Sequence, residues 1–326
     1  MTSVLITIDT ELSAGLFQQG VSLSDNIAAS IHGRTPAGDY GVGWMIDRFD
    51  DHGLTGVFFV DPMPALVYGP GFLADIVGPI VARGHEVQLH IHTEWLKWGA
   101  MPLVATGAKS NIGDYSRKDQ AILLAYALAR LITAGAPRPL AFRAGNFGAN
   151  DATLEALKTL GIGYDSSFNC VIDNDVCAID LPNDTIEPLH HKGVVEMPVS
   201  VVASTGKALR PAQICAMSVW EMRDMLNHAA AEKMSAQVIV THSFEMLNRR
   251  RTRPNRMVVR RFEKMCEEIS RNPLLVSRGF ADIDPDRVVA CQDRSEPLPC
   301  NRVRTAARMA AQVGSNLIYD RSLRQS

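Results

Sequence analysis

The chain has 326 residues, is 46% hydrophobic and 21% charged, and carries a formal net charge of -2. Those values describe an ordinary soluble globular protein, long enough for one large domain or two modest ones. They argue against a nucleic-acid partner, and no apolar run approaches the roughly 20 residues needed to span a bilayer. The opening "MTSVLITIDTEL" has no basic n-region and places an acid where a signal peptide would still be apolar, so export by that route is not expected. The cysteines at 170, 177, 215, 266, 291 and 300 include no CxxC pair, which supports neither a disulfide scaffold nor structural zinc. A reduced, cytoplasmic setting is the expectation.

In chain order, "VLITID" (4–9) reads as a strand and "VGWMIDRFDDHG" (42–53) as a helix closed by glycine. The strand "TGVFFV" (55–60) precedes the helix "LADIVGPIVARG" (73–84), and "EVQLHI" (86–91) is the next strand. A capping box at Ser116 and Asp119 starts the long apolar helix "DQAILLAYALARLITAG" (119–135). Then come "PLAFRA" (139–144) as strand, "DATLEALKTLG" (151–161) as helix, and "IGYDSS" (162–167) as a weaker strand. The strand "VVEMPV" (194–199) is followed by the helix "SVWEMRDMLNHAAAE" (218–232). The strand "QVIVTH" (237–242) is followed by the helix "VVRRFEKMCEEIS" (258–270). This alternation predicts an α/β protein whose parallel sheet, open or closed into a barrel, has helices outside it.

Ionisable residues interrupt these strands at one end. Asp9 and Glu11 follow "VLITI", His90, His92 and Glu94 follow "EVQL", Arg143 follows "PLAF", and His242 follows "VIVT". One such residue is ordinarily a satisfied core group, but four strands ending this way mark the edge where parallel βα barrels keep their active sites. Residues two apart on a strand share a face, so Asp9 and Glu11 converge, and so do His90, His92 and Glu94. Two carboxylates pressed together repel unless a cation lies near them. Imidazole and carboxylate donors without thiolate suit Zn²⁺ or another divalent first-row ion.

The ordered set "TIDTE", "GHEVQLHIHTEW", "FRAGNFGAN", "YDSS" and "VTHSFEM" resembles the polysaccharide deacetylase family, the NodB-homology or carbohydrate esterase family 4 domain, over residues 3–280. The resemblance implies a distorted (β/α)7 barrel at 1–284, with 285–326 left as a C-terminal extension. It implies a hydrolase that uses a divalent metal, Zn first and Co, Ni or Mn as alternatives, to remove an acyl group from an amide nitrogen. The substrate would be an N-acetylated amino sugar or a glycan precursor. A small non-sugar amide and a non-catalytic glycan-binding relative remain alternatives.

By the same resemblance, Asp9 is the catalytic base and His242 the general acid, with Arg143 orienting Asp9. The family's metal-binding aspartate would follow Asp9, where this chain has Thr10, so Glu11 stands in for it. His90 matches the first metal histidine. Glu94 occupies the place of the second, and His92 is the preferred third ligand with Glu94 as its alternative. Where the family often has proline after the motif arginine, Ala144 and Gly145 occur.

Trp95 and Trp98 on the loop after the ligands, with Tyr164 and Asp165 of "YDSS", are candidates for substrate contact. The expected partners are an N-acylated sugar or small amide, with no nucleic acid and no membrane span; homo-oligomerisation is left open. The segment "NRRRTRPNRMVVRR" (248–261) carries seven arginines. Such runs are usually a solvated helix face, though near the site they would attract an acidic group on the substrate. In the extension, "RVRTAARMAAQV" (302–313) has the pattern of a basic amphipathic helix that packs on the barrel or on another subunit.

Overall fold

In the computed structural model, which describes residues 1–100, 102–206, 208–290 and 295–320, seven parallel strands carry the fold. Cys291 and parts of the extension, 291–294 and 321–326, lie outside the described residues. The strands are β1 (Thr2–Thr10), β2 (Gly56–Val60), β3 (Glu86–Ile91), β4 (Ala141–Ala144), β5 (Tyr164–Asp165), β6 (Val194–Glu196) and β7 (Ala236–His242). They lie in the order β7-β1-β2-β3-β4-β5-β6, and every neighbouring pair is parallel. Short strands at Leu189–His191 and Leu275–Ser277 add to β6 and β1.

Between β6 and β7 the ladder is replaced by single contacts. Ser200 donates its amide to the Val238 carbonyl at 3.1 Å, and Val240 donates to Ala212 at 2.9 Å. A curled parallel sheet with one loose seam is the distorted barrel that the sequence resemblance implies.

Strands buried on both faces need apolar residues at every position, which is why β1 reads as a nearly continuous apolar run. Val4, Ile6 and Ile8 face the helices, whereas Leu5 faces inward with Val57, Phe59, Ala141, Val195 and Val238. The helices of the outer layer are α1 (Val42–His52), α2 (Phe72–Ala82), α3 (Arg117–Thr133), α4 (Asp151–Thr159), α5 (Val219–Ala231) and α6 (Arg256–Arg271). Gly53 ends α1 at φ 63°, a left-handed position that favours glycine. At α3 the Ser116 hydroxyl accepts from the Asp119 amide at 3.2 Å, while the Asp119 carboxylate lies 3.4 Å from Thr106 rather than closing the expected box.

The extension forms α7 (Arg302–Ser315), which docks on α5 through Arg304 to Asp224 at 2.9 Å and Arg308 to Glu221 at 3.5 Å. Among the described residues, no helix is long and apolar enough to cross a membrane.

Candidate active site

Register decides which side chains meet at the strand ends. Asp9 lies opposite His242 on one side and Phe59 on the other, and His90 lies opposite Arg143. Asp9 and Phe59 both point into the barrel, so Glu11 and Asp61, two residues further along, continue that inner face at its rim.

Glu11, His90 and His92 form the one group among the described residues whose donor atoms all lie within 4.8 Å of one another. Glu11 Oε2 is 2.5 Å from His92 Nε2 and 3.4 Å from His90 Nε2. His90 Nδ1 is 2.7 Å from the Arg143 carbonyl oxygen. A carbonyl can only accept, so Nδ1 carries a hydrogen and Nε2 is the nitrogen turned toward Glu11, the orientation metal-ligating histidines use. Glu94 lies on the turn Thr93–Lys97 and does not join the group.

Burial opposes a charge on His92, yet the Glu11 carboxylate overrides it and lifts its pKa to about 10. Burial pushes Glu11 up, but the two imidazoles, His92 above all, hold it well below its ordinary range. A proton thus occupies the place between these donors that a cation would take. One buried oxygen beside them, Asp61 Oδ2, has no hydrogen-bond donor. Buried acceptors left without donors are costly, and a bound cation satisfies them. The donor set therefore fits a divalent metal.

Gly145 accounts for where His92 sits. A Cβ at this position would lie 2.7 Å from the Ile91 carbonyl oxygen and 2.8 Å from the His92 ring. The bare Gly145 backbone thus leaves the space that the His92 ring occupies.

Arg143 is fully buried, and each arm of its guanidinium is used. Nη1 donates to Asp9 Oδ1 and to Thr7 Oγ1, both at 2.8 Å. Nε and Nη2 donate to the backbone oxygen and hydroxyl of Ser166 at 3.1 Å each, and the plane stacks on Phe59 at 4.4 Å. Burial raises the Asp9 pKa, but Arg143, His90 and His242 together bring it below its ordinary value. Asp9 is therefore ionised and able to accept a proton.

His242 is its opposite. Burial works against its charge, but Glu245, 3.5 Å from Nδ1, and the Asp9 and Glu11 carboxylates lift it to about 9. Glu245 itself is held by Thr241 and Gln213, both at 2.6 Å. With 28% of its side chain exposed, His242 is a protonated imidazole that a ligand can reach. Neighbouring groups whose environments push their pKa values apart are suited to acid and base roles.

Two site residues escape the sequence reading. Asp61 directly follows β2; its Oδ1 accepts from the Met63 amide at 2.9 Å, and burial lifts it to about 6. Its signal was the acid closing "FFVD". Glu245, three residues after His242 in "HSFE", had no comparable signal.

Other candidates lie elsewhere. Trp95 is fully buried in an aromatic cluster with Phe17, Tyr68 and Trp98 at 5.6, 6.1 and 5.7 Å, so it packs rather than stacks on a ligand. Trp98 is half-buried against Phe17. Tyr164 and Asp165 must be corrected as substrate contacts. The Tyr164 hydroxyl donates to the Ile283 carbonyl at 2.8 Å and its ring packs on Phe280, at the end of the barrel where Glu86, first residue of β3, accepts from the Phe280 amide. Asp165 is fully buried, accepts from the Ser167 amide and hydroxyl at 3.0 and 2.8 Å, and lies against Glu196. Burial raises both carboxyls, so this pair holds a proton rather than facing the opening.

No family model matches the sequence, and no curated protein matches it. Solved structures do resemble the fold. A protein from Mycobacterium smegmatis assigned as a polysaccharide deacetylase superposes with a TM-score of 0.56 at 19% identity, over 92% of this chain and 94% of that one. The 4-alpha-glucanotransferase of Thermococcus litoralis superposes at 0.51 with 8% identity, over 86% of this chain and 40% of that one. Identities this low speak for architecture, and a shared architecture does not by itself choose a reaction. The match to the Mycobacterium smegmatis structure over nearly the whole of both chains shows that this chain shares its fold, a distorted barrel of parallel strands.

Proposed function

We propose that this chain is a metal-dependent hydrolase that removes an acyl group from an amide nitrogen, its substrate an N-acetylated amino sugar or glycan precursor. The observation that carries the reading is the ionised Asp9–Arg143 pair lying between a two-histidine, one-carboxylate cluster and a protonated histidine. Because a glucanotransferase shares the architecture, these side chains and not the barrel must argue the chemistry.

Glu11, His90 and His92 would hold the cation. A divalent ion at such a site polarises an acyl carbonyl and makes water more acidic. Asp9 accepts the proton of the attacking water, and Arg143 keeps the carboxylate aimed and charged while it waits. His242 protonates the departing amine, and Glu245 keeps that imidazole charged and oriented. A cytoplasmic location belongs to the same reading, with a precursor in place of a wall polymer.

Metal analysis of the purified protein, followed by acetate release from N-acetylated sugars and from small amides, tests the reading. One zinc or other first-row ion per chain with sugar deacetylation is expected. Turnover of small amides alone would move the substrate class, and a metal-free, inactive protein would indicate a glycan-binding relative. In His90→Ala the metal should be lost while the fold is kept, because His90 closes no packing layer of the helices.

The His92 proton gives a second expectation. At neutral pH a cation entering the site must displace it, so metal uptake should release about one proton per ion. Apparent affinity should then climb with pH until about 10, where His92 is already neutral in the metal-free protein. Calorimetry of zinc binding in buffers of different ionisation enthalpy counts the protons; a count of zero would remove His92 from the ligand set. In the metal-free protein the His92 charge supports folding below its ordinary value of 6.5 and that support is lost as pH rises through about 10.

A further inference from the structure

The arginines that follow the His242 strand do not form one solvated face. Arg253 stacks on Tyr319 and Arg256 on Tyr40, at 5.3 and 5.4 Å, both in packing roles. Arg249, Arg251 and Arg261 instead line a cleft of about 350 Å³ that opens beside Phe244 and Glu245, the residues just after His242. Its opposite wall is α7, through Gln312 and Ser315.

Three features of this cleft call for an anion. Arg261 is only 4% exposed; Nη1 donates to the Cys215 carbonyl at 2.8 Å, while Nη2 is buried with no partner. An unpaired buried guanidinium arm is a standing cost that a carboxylate or phosphate oxygen removes. Arg251 adopts a left-handed φ of 55°, unusual for a side-chain-bearing residue. That backbone turns its guanidinium onto the Phe244 ring at 3.9 Å and against Ser30 Oγ, with Phe244 itself 5.3 Å from the His242 ring. The single carboxylate on the cleft wall among the described residues, Glu245, is already committed to His242, Thr241 and Gln213. Among the described residues of the cleft wall, no carboxylate is left for the buried Nη2 of Arg261.

The extension completes this site. Asn255 donates to Ser315 Oγ at 3.0 Å, and the Arg304 and Arg308 ion pairs on α5 hold α7 in place. The function proposed above leaves both the arginines and α7 without a role, and the cleft gives them a common one.

We propose that this cleft binds an anionic group, a phosphate or a carboxylate, carried by the substrate whose acyl amide reacts at Asp9 and His242. The substrate is then an acidic N-acylated compound. This identity rests on the proposed hydrolase activity, whereas the anion site itself does not.

The test is a calorimetric titration of the full-length protein with inorganic phosphate and, separately, with glucuronate, each with and without a chelator. One site that persists in chelator and weakens with added salt is expected, since screening lengths are about 8 Å at physiological ionic strength. Gln312→Glu and Arg251→Gln should each weaken it about tenfold, the scale of one charge-assisted contact. Gln312→Lys should bind at least as tightly as the parent, so a general folding defect, which would weaken both Gln312 variants, cannot imitate the result. Preference for phosphate or for glucuronate identifies the group the substrate carries. Absence of binding by either probe, binding abolished by chelator, or variants that bind like the parent would each overturn the proposal. Anion binding without hydrolysis would sink the hydrolase reading alone, and hydrolysis without anion binding would sink the cleft alone.

Discussion

Replacing Arg143 with leucine should destabilise the fold by about 3–5 kcal/mol, the usual cost of removing one partner from a buried ion pair. The cost arises at Asp9, which stays buried at 4% exposure and loses its closest cation, 2.8 Å away. Thr7 and Ser166 lose donors in the same step. Arg143→Lys should fall between leucine and the parent, because it keeps the charge but cannot serve Asp9, Thr7 and Ser166 with one planar fork. The pH dependence has a definite sign. In the parent the depressed Asp9 pKa contributes stability above its ordinary value of 3.8, and that contribution is lost as pH falls through the lower folded value. In Arg143→Leu the Asp9 pKa moves up, so the deficit should be largest at neutral pH and shrink in acid. Denaturant midpoints between pH 4 and pH 7 measure it. A deficit that is small and flat with pH would mean that His90 and His242 suffice to keep Asp9 charged.

This arginine also shows how far the chain could be read before it was folded. A cationic residue closing the apolar run "PLAF" has few ways to be buried, so an acidic partner at the same strand edge followed from elementary electrostatics. Strand parity then grouped Asp9 with Glu11 and His90 with His92, because residues two apart share a face. The same argument applied to "FFVD" points to Asp61, whose Oδ1 accepts from the Met63 amide just past the strand.

Parity fails where strands are too short. β5 spans only Tyr164 and Asp165, so its start and its end are the same place, and nothing in "YDSS" says which end of the barrel Tyr164 faces. The answer depends on Phe280 and Ile283, more than a hundred residues away in sequence. Trp95 was equally open, since an indole beside a metal cluster suits a sugar or a core, and only contact with Phe17 and Tyr68 decides for the core. His92 lies one residue past β3, where alternation need not continue. It reaches Glu11 because Gly145 leaves room for its ring, a steric fact between two loops that no local pattern carries. Residue chemistry and period are local, but the direction of a loop side chain is set by what packs on it.

Asp9→Asn should lower kcat by about 10²–10⁴-fold, the range ascribed to general acid–base catalysis, with the metal still bound. The substitution is nearly isosteric, and Asn Oδ1 can still accept from Arg143, so Glu11, His90 and His92 keep their positions. What disappears is the negative charge that would receive the water's proton. Substrate binding does not call on that charge, so KM should change little, the signature of an interaction made in the transition state. In the parent the depressed Asp9 pKa keeps the base ready well below neutral pH, so the loss in Asp9→Asn should extend across the neutral range. Steady-state kinetics with metal content measured on the same samples separates three outcomes. Lost activity with full metal content places the base at Asp9. Activity and metal lost together would make Asp9 a ligand. Turnover within a few-fold of the parent would move the base to Asp61, whose carboxyl sits at about 6 beside the same imidazoles, and Asp61→Asn would then be the variant that stops the reaction.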